Sequence, residues 1–486
     1  MKYFKMIALI VCWLFLLDMT VLAQPARDSM IKAEKGFLNL ESHDFDQNEI
    51  ILLNGEWEFY WEEFLFPEDF LTPSGKQRDS GNTDYIHVPV DWQFHKQDGQ
   101  TLPREGYATY RLVIQLAKEE VGEMKAIYMP EVATAYSLWI NGERKLSSGQ
   151  IGTNRDEMIP KNVPQVVYFQ PDSEQVELVI QVSDFYQRKS GLWDSIRLGE
   201  PEGIALFRER RVAVELIVAG SLVVMGLYHI SLFLFRRKER ASLFFGAVCV
   251  SVAFRKLLLG EMLLIRFFPD IPWELSAKME YLGAILGILF FVLFVYTQYP
   301  EDMSRPVKHL FVWIEGLIAI FVLLTPARIY TTFIVPIQVT ALLIFVYLVV
   351  VYMKALKNKR NGALLNGVAM IFFFVMTLND VLYYNHLTHT GETVSFGILF
   401  FLLVHSLNLS AKFSRAFSKI EVLSGHLQKL NLSLEQQVKD RTRELENSNR
   451  QLQQANLKLQ EMDHSRRRLL TNIAHELGTP LSSIQG

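Results

Sequence analysis

Val212-Ala-Val-Glu-Leu-Ile-Val-Ala-Gly-Ser-Leu-Val-Val-Met-Gly-Leu-Tyr-His-Ile-Ser-Leu-Phe-Leu-Phe235 is followed at once by Arg236-Arg-Lys-Glu-Arg240. The run carries one formal charge, Glu215, and is long enough for a helix to cross the roughly 30 Å of bilayer hydrocarbon. Six further apolar stretches lie near residues 241–259, 279–298, 309–325, 330–353, 363–385 and 393–411. Together they predict a seven-helix transmembrane bundle over residues 205–412. The loops orient it. Basic residues gather after the first stretch, before the fourth (Arg305, Lys308), after the fifth (Lys354, Lys357, Lys359, Arg360) and after the seventh (Lys412, Arg415). Alternate loops, such as Pro269-Asp-Ile-Pro-Trp-Glu-Leu275, are poorer in Lys and Arg. Basic loops stay in the cytoplasm, so the N-terminus is expected outside and the C-terminus inside. An odd number of crossings requires the same.

Several ionisable groups fall within or near these stretches: Glu215, His229, Arg255, Lys256, Glu280, Glu315, Asp380 and His405. Charges at membrane depth are costly and pair inside a bundle, so Arg255 or Lys256 is expected to pair with Glu280. The same groups would serve a switch that re-pairs when an outer domain moves, or an ion pathway in a transporter. Half of the chain is apolar and 21% is charged, which fits a membrane protein with soluble parts. With 486 residues several domains are expected, and a net charge of −3 predicts no general affinity for nucleic acid. The two cysteines, Cys12 and Cys249, both lie in apolar segments, so no disulfide is expected to hold an exported domain.

Lys2 and Lys5 precede an apolar run, Met6 to Leu17, and Val21-Leu22-Ala23 supplies small residues for cleavage before Gln24. Residues 1–23 therefore read as a secretory signal peptide, too short to span a bilayer comfortably. Residues 24–47 read as a linker. From 48 to 200 the pattern is β. Trp57, Phe59 and Trp61 alternate with Glu56, Glu58 and Tyr60; Tyr110, Leu112, Ile114 and Leu116 form a second such run, and Val176, Leu178, Ile180 and Val182 a third. Period-two alternation with one apolar face marks antiparallel strands over a core, and Asn54-Gly55 and Asn141-Gly142 offer tight turns. The expected fold is an exported all-β jelly-roll sandwich.

Four segments come in order: Leu53-Asn-Gly-Glu-Trp-Glu-Phe59, His87-Val-Pro-Val-Asp-Trp92, Gly106-Tyr-Ala-Thr-Tyr-Arg111 and Ala133-Thr-Ala-Tyr-Ser-Leu-Trp-Ile-Asn-Gly142. They resemble the galactose-binding-like jelly roll that accompanies some glycosidases. The same domain occurs on bacterial seven-transmembrane receptors with diverse intracellular signalling modules. Exposed aromatics could stack on sugar rings, which makes Trp92, Tyr107 and Trp193 candidate ligand contacts. Glycoside hydrolysis needs two carboxylates at a set separation, and nothing singles out such a pair. Binding or structural coupling is expected, not catalysis.

Beyond the last apolar stretch the chain turns polar and helical. Ile420, Leu423, Leu427, Leu430 and Leu434 keep a/d spacing; Val438, Leu445, Leu452 and Leu459 repeat every seven residues, with Ala455 and Met462 between them. The step of four from Leu434 to Val438 is a stutter. Residues 413–465 therefore predict a parallel two-stranded coiled coil and a homodimer.

The chain closes on Thr471-Asn-Ile-Ala-His-Glu-Leu-Gly-Thr-Pro-Leu-Ser-Ser-Ile-Gln-Gly486. This string resembles the phosphoacceptor box of bacterial sensor histidine kinases, here opened at 466–486. The resemblance makes His475 the phosphoacceptor and Glu476 its acid/base partner. It makes Thr479, one turn on, the residue that positions water for dephosphorylating a response regulator. Asn472, one turn before the histidine, is a weaker orienting candidate, and Pro480 should kink the helix one turn past the histidine. Gly478 departs from the family's frequent Arg or Lys. The family's second bundle helix and ATP-binding domain are not in the sequence, so the chain is expected to accept phosphate without supplying it. ATP and Mg²⁺ are expected for the complete family member, with no cofactor or metal bound by this chain. Expected partners are a second copy, a response regulator, membrane lipid and an unidentified extracellular ligand, with a glycan as one candidate; the expected place is the bacterial cell membrane. Three readings compete: a sensor histidine kinase, an inactive receptor or adaptor that regulates a complete kinase, and a carbohydrate-binding or transport protein.

Overall fold

The computed structural model describes residues 31–43, 45, 49–70, 84–97, 99–360, 362–385, 387–388, 390 and 393–484. The expected signal peptide lies outside them. Thirteen strands come first: β1 Phe37–Leu40, β2 Ile50–Leu52, β3 Gly55–Trp61, β4 Asp84–Val88, β5 Lys96–Gln97, β6 Gln100–Thr101, β7 Gly106–Leu116, β8 Lys125–Met129, β9 Ala135–Ile140, β10 Glu143–Ser148, β11 Gln165–Phe169, β12 Gln175–Asp184 and β13 Arg197–Gly199. One sheet runs β10-β9-β12-β7-β3-β4, with β1 added in parallel beside β7, and a second runs β11-β8-β13-β2. Trp57, Phe59, Tyr110, Leu112, Ile114, Leu178 and Ile180 of the large sheet share one core with Ile51, Ile127, Met129, Val167, Phe169 and Leu198 of the small one. The two sheets therefore face each other as a sandwich, as the period-two runs require.

Two boundary expectations are corrected. Residues 24–47 are not all linker: β1 pairs with Val113–Leu116, and Leu38 and Leu40 are fully buried. Asn54-Gly55 is not a hairpin turn. Gly55 has φ of 125° and opens β3, while β2 belongs to the other sheet, so the chain crosses the sandwich there. Asn141-Gly142 behaves as expected. Both residues have positive φ, 47° and 83°, and they join β9 to β10 in a hairpin.

Helices follow: α1 Pro201–Phe235, α2 Arg240–Lys256, α3 Leu263–Phe267, α4 Trp273–Gln298, α5 Arg305–Leu324, α6 Ala327–Tyr330, α7 Ile334–Lys357, α8 Ala363–Tyr384 and α9 Val394–Ile484. Each expected apolar stretch lies on one of them. Among the described residues, six are long and apolar enough to cross a membrane, α6 and α7 counting together. α2 has 17 residues and ends on Arg255 and Lys256, which leaves it short of the roughly 20 that a span needs. Phe291, Phe345, Phe373 and Phe401 pack ring against ring at the centre of the bundle. α9 divides at Val404: its first turns belong with the bundle, and residues 405–486 form a separate unit. In that unit α9 continues as a single helix through Ile484, past Pro480, and is exposed from Ser414 to Glu476.

Candidate functional site

The expected aromatic contacts separate. Trp92 lies on a short turn, Trp92–Phe94, and is fully buried; its Nε1 donates to the carbonyls of Pro103 and Arg104 at 3.1 and 3.0 Å. It packs against Trp61 in the sandwich core, so it is a core residue and offers no face to a sugar. Tyr107 is half-buried, with its ring 4.8 Å from Phe64. Trp193 is half-buried under the Lys189 ammonium, 3.6 Å from its ring centroid. These three side chains have different neighbours and do not make one platform.

Two groups in the β domain stand out electrostatically. Asp184 ends β12 fully buried; its Oδ1 accepts from Thr134 Oγ1 at 2.5 Å and from the Tyr186 N–H at 3.0 Å. Burial pushes its carboxyl up to about 8, and those hydrogen bonds pull the other way. Glu131 is likewise pushed up by burial, to about 7, with Lys189 opposing the rise. Its Oε1 accepts from Asn162 Nδ2 at 2.6 Å.

The β domain rests on one end of the helices. Arg104 Nη1 donates to Thr332 Oγ1 at 3.1 Å, and Glu105 pairs with Arg328. Arg188 Nη2 donates to Asn385 Oδ1 at 3.4 Å, and Trp273 Nε1 donates to Asn162 Oδ1 at 3.1 Å. Arg266 Nη2 donates to the Pro164 carbonyl at 2.9 Å, and Tyr128 Oη to Glu261 Oε1 at 2.6 Å. Thr332, Arg328, Asn385, Arg266 and Glu261 all belong to the connections between α2 and α4, α5 and α7, and α8 and α9. Those are the loops poorer in Lys and Arg.

The ionisable groups of the bundle are paired more finely than expected. Arg255 meets Glu280 at 3.8 Å, one of the two pairings foreseen, and Lys256 turns instead to Glu215 at 3.8 Å. Asp380 accepts from the N–H groups of Thr393 and Val394 at 2.6 and 3.1 Å, and so caps the start of α9. Glu315 is buried with Oε2 lacking a hydrogen-bond partner among the described residues. His229 is buried with its ring 4.3 Å from that of Phe245. Glu261, absent from the expected set, is a fully buried carboxylate surrounded by Tyr128, Arg208, Arg211 and Arg266.

On α9, Asn472, His475 and Glu476 are exposed. The helix places Thr479 and Pro480 in the following turn; their side chains lie outside what is described.

Residues 211–412 match the family described as 7TM diverse intracellular signalling. Among solved structures, the chain is similar to a GH2 beta-galacturonidase from Eisenbergiella tayi bound to galacturonate, at 13% identity over 33% of this chain and 26% of that one, TM-score 0.22. A beta-glucuronidase from Faecalibacterium prausnitzii matches at 13% identity over 31% of each chain, TM-score 0.22. One from Ruminococcus gnavus, in complex with uronic deoxynojirimycin, matches at 15% over 31% of this chain and 28% of that one, TM-score 0.22. The matched part spans between a quarter and a third of these glycosidases. Curated proteins give no match. The apolar helices and the match at 211–412 define a multi-pass membrane protein with a 7TM signalling region, preceded by a β domain.

Proposed function

We propose that the chain is a bacterial membrane sensor of the histidine kinase type. The β domain and seven membrane crossings form its input, the long helix dimerises as a coiled coil and relays the signal, and His475 is the phosphoacceptor. One observation carries the reading: the helix that starts at Val394 within the 7TM signalling region runs unbroken to the His475 box. A ring nitrogen of His475 attacks the terminal phosphorus of ATP; the N–P bond forms as the bond to the bridging oxygen breaks and ADP leaves. Glu476 takes the proton from the ring and holds its tautomer. The phosphoryl group then passes to a receiver-domain aspartate, and Thr479 positions water for its removal. ATP with Mg²⁺ is the donor that this reading calls for, and no group of described residues is assigned to hold it. The β domain is the part proposed to meet an extracellular ligand, a glycan among the candidates, with Tyr107 and Trp193 left as partly exposed aromatics. An adaptor that regulates another kinase is the second reading, since the exposed apolar stripe of the helix serves a heterodimer equally well.

The test is labelling. Membranes holding this protein and a complete related kinase, given labelled ATP and Mg²⁺, should yield acid-labile, alkali-stable phosphate on this chain. His475→Gln should abolish it, and Glu476→Gln should slow it by about a hundredfold or more, the scale of a lost acid/base group. Label that survives His475→Gln would overturn the assignment.

A further inference from the structure

Glu261 lies in the loop between α2 and α3, yet its side chain is fully buried. Four side chains from three elements converge on its carboxylate. Oε1 accepts from Tyr128 Oη at 2.6 Å, and Tyr128 belongs to β8 of the outer domain. Oε2 accepts from Arg266 Nη2 at 2.8 Å and from Arg208 Nε at 3.4 Å, while Arg211 Nε lies 3.6 Å from Oε1. Arg208 and Arg211 are on α1, and Arg266 is on α3. The backbone of the same residue is held as well: the Glu261 N–H donates to both oxygens of Glu215 on α1, each at 3.2 Å. Glu215 in turn pairs with Lys256 at the end of α2. Gly260 makes this wrapping possible. Its φ is 63°, and a Cβ there would come within 2.0 Å of Glu215 Oε1.

Around the node the outer domain and α1 interlock. The Tyr128 and Phe207 rings meet edge-on at 5.3 Å, and Arg197 lies over both, 5.7 and 5.0 Å from their centroids. A carboxylate taken out of water is stable only while its partners surround it, and removing one partner is far more disruptive than the pair's net worth suggests. Its interaction energies are also steep in distance where water is excluded.

We propose that Glu261 is the coupling point through which a displacement of the outer domain reaches α1 and α2. Movement of β8 takes the Tyr128 hydroxyl off Oε1, the shortest contact of the set. The carboxylate then turns toward the three guanidinium groups. The 257–262 loop follows, because its backbone is tied to Glu215. This locates where a signal crosses between domains and depends on the kinase reading only for its last readout.

The experiment is hydrogen–deuterium exchange on the full chain in lipid nanodiscs. Tyr128→Phe deletes only the hydroxyl that bridges the domains; Glu261→Gln keeps the shape and removes the charge. Each should speed exchange several-fold on both sides of the junction, in peptides covering 125–129 and 257–267, and leave the β9–β10 hairpin unchanged. The double variant should exchange no faster than Glu261→Gln alone, since Tyr128 acts through Glu261. Additive effects, a change confined to the mutated side, or a hairpin that also loosens would overturn the proposal. In membranes that also hold the complete related kinase, Tyr128→Phe should in addition shift the level of His475 label. Absence of label in every protein, the unmutated one included, would overturn the kinase reading and leave the exchange result standing.

Discussion

At the scale of single residues, the chemistry of the β domain is concentrated in buried carboxyls. The folded domain holds a proton on Asp184 up to about pH 8. An unfolded chain releases it near the ordinary value of about 3.9. The native state thus binds more protons than the unfolded state across that window, and stability is full below it and falls as pH rises through it. Unfolding of the full chain in detergent, followed by tryptophan fluorescence, should show the midpoint falling between about pH 5 and about pH 8, by at most about 1.4 kcal/mol per pH unit. Asp184→Asn replaces the neutral acid with a neutral amide and should flatten that slope; parallel profiles for the two proteins would refute it. Some of these groups were legible in the sequence and others were not. Arg255 and Glu280 stand out because they interrupt apolar runs, and the structure pairs them. Glu261 does not, because a charge in a short connection is ordinary. Its burial comes from Tyr128, 133 residues away, and no local pattern encodes that. Trp92 misled for the converse reason: an aromatic beside Pro and Asp reads as a loop side chain, yet two carbonyl acceptors let its indole be buried whole.

At the scale of elements, legibility followed how many faces were covered. β3 alternates cleanly, but β8 is buried at all five positions. Ile127 and Met129 face the sandwich core while Ala126 and Tyr128 pack against Ile204 and Phe207 of α1. A strand covered on both sides loses its period. β1 is four residues long, too short to show one. The 413–465 helix is the opposite case, with a clear heptad and its apolar stripe exposed: Leu430, Val438, Leu445, Leu452 and Leu459 are each more than half accessible. Such a stripe asks for a partner helix. Cysteine at Leu445 or Leu452 should cross-link to its twin in membranes under mild oxidation, and cysteine at Glu446 much less. Equal yields at the three positions would refute both the parallel pairing and the register.

At the scale of the whole molecule, the sequence made the order of parts plain: β pattern, apolar stretches, heptads, histidine box. What it left unread was how the β domain meets the helices, because that surface is assembled from loops with no periodicity. The docking contacts fall on the loops poor in Lys and Arg, so the β domain and those loops share one side. Loop charge predicts that this side is the outer one. Alkaline phosphatase fused after Ser148 should be active, and fused after Asn358 inactive; the reverse pattern would overturn the orientation. The junction at Glu200 then has a consequence for how the protein is made. β13 ends at Gly199, α1 begins at Pro201, and β13 is the strand that pairs with both β2 and β8. β2 and β8 have no strand to join them until residues 197–199, the last strand before α1, have been made. If the predicted orientation holds, completion of the β domain is therefore expected to coincide with arrival of α1 at the membrane.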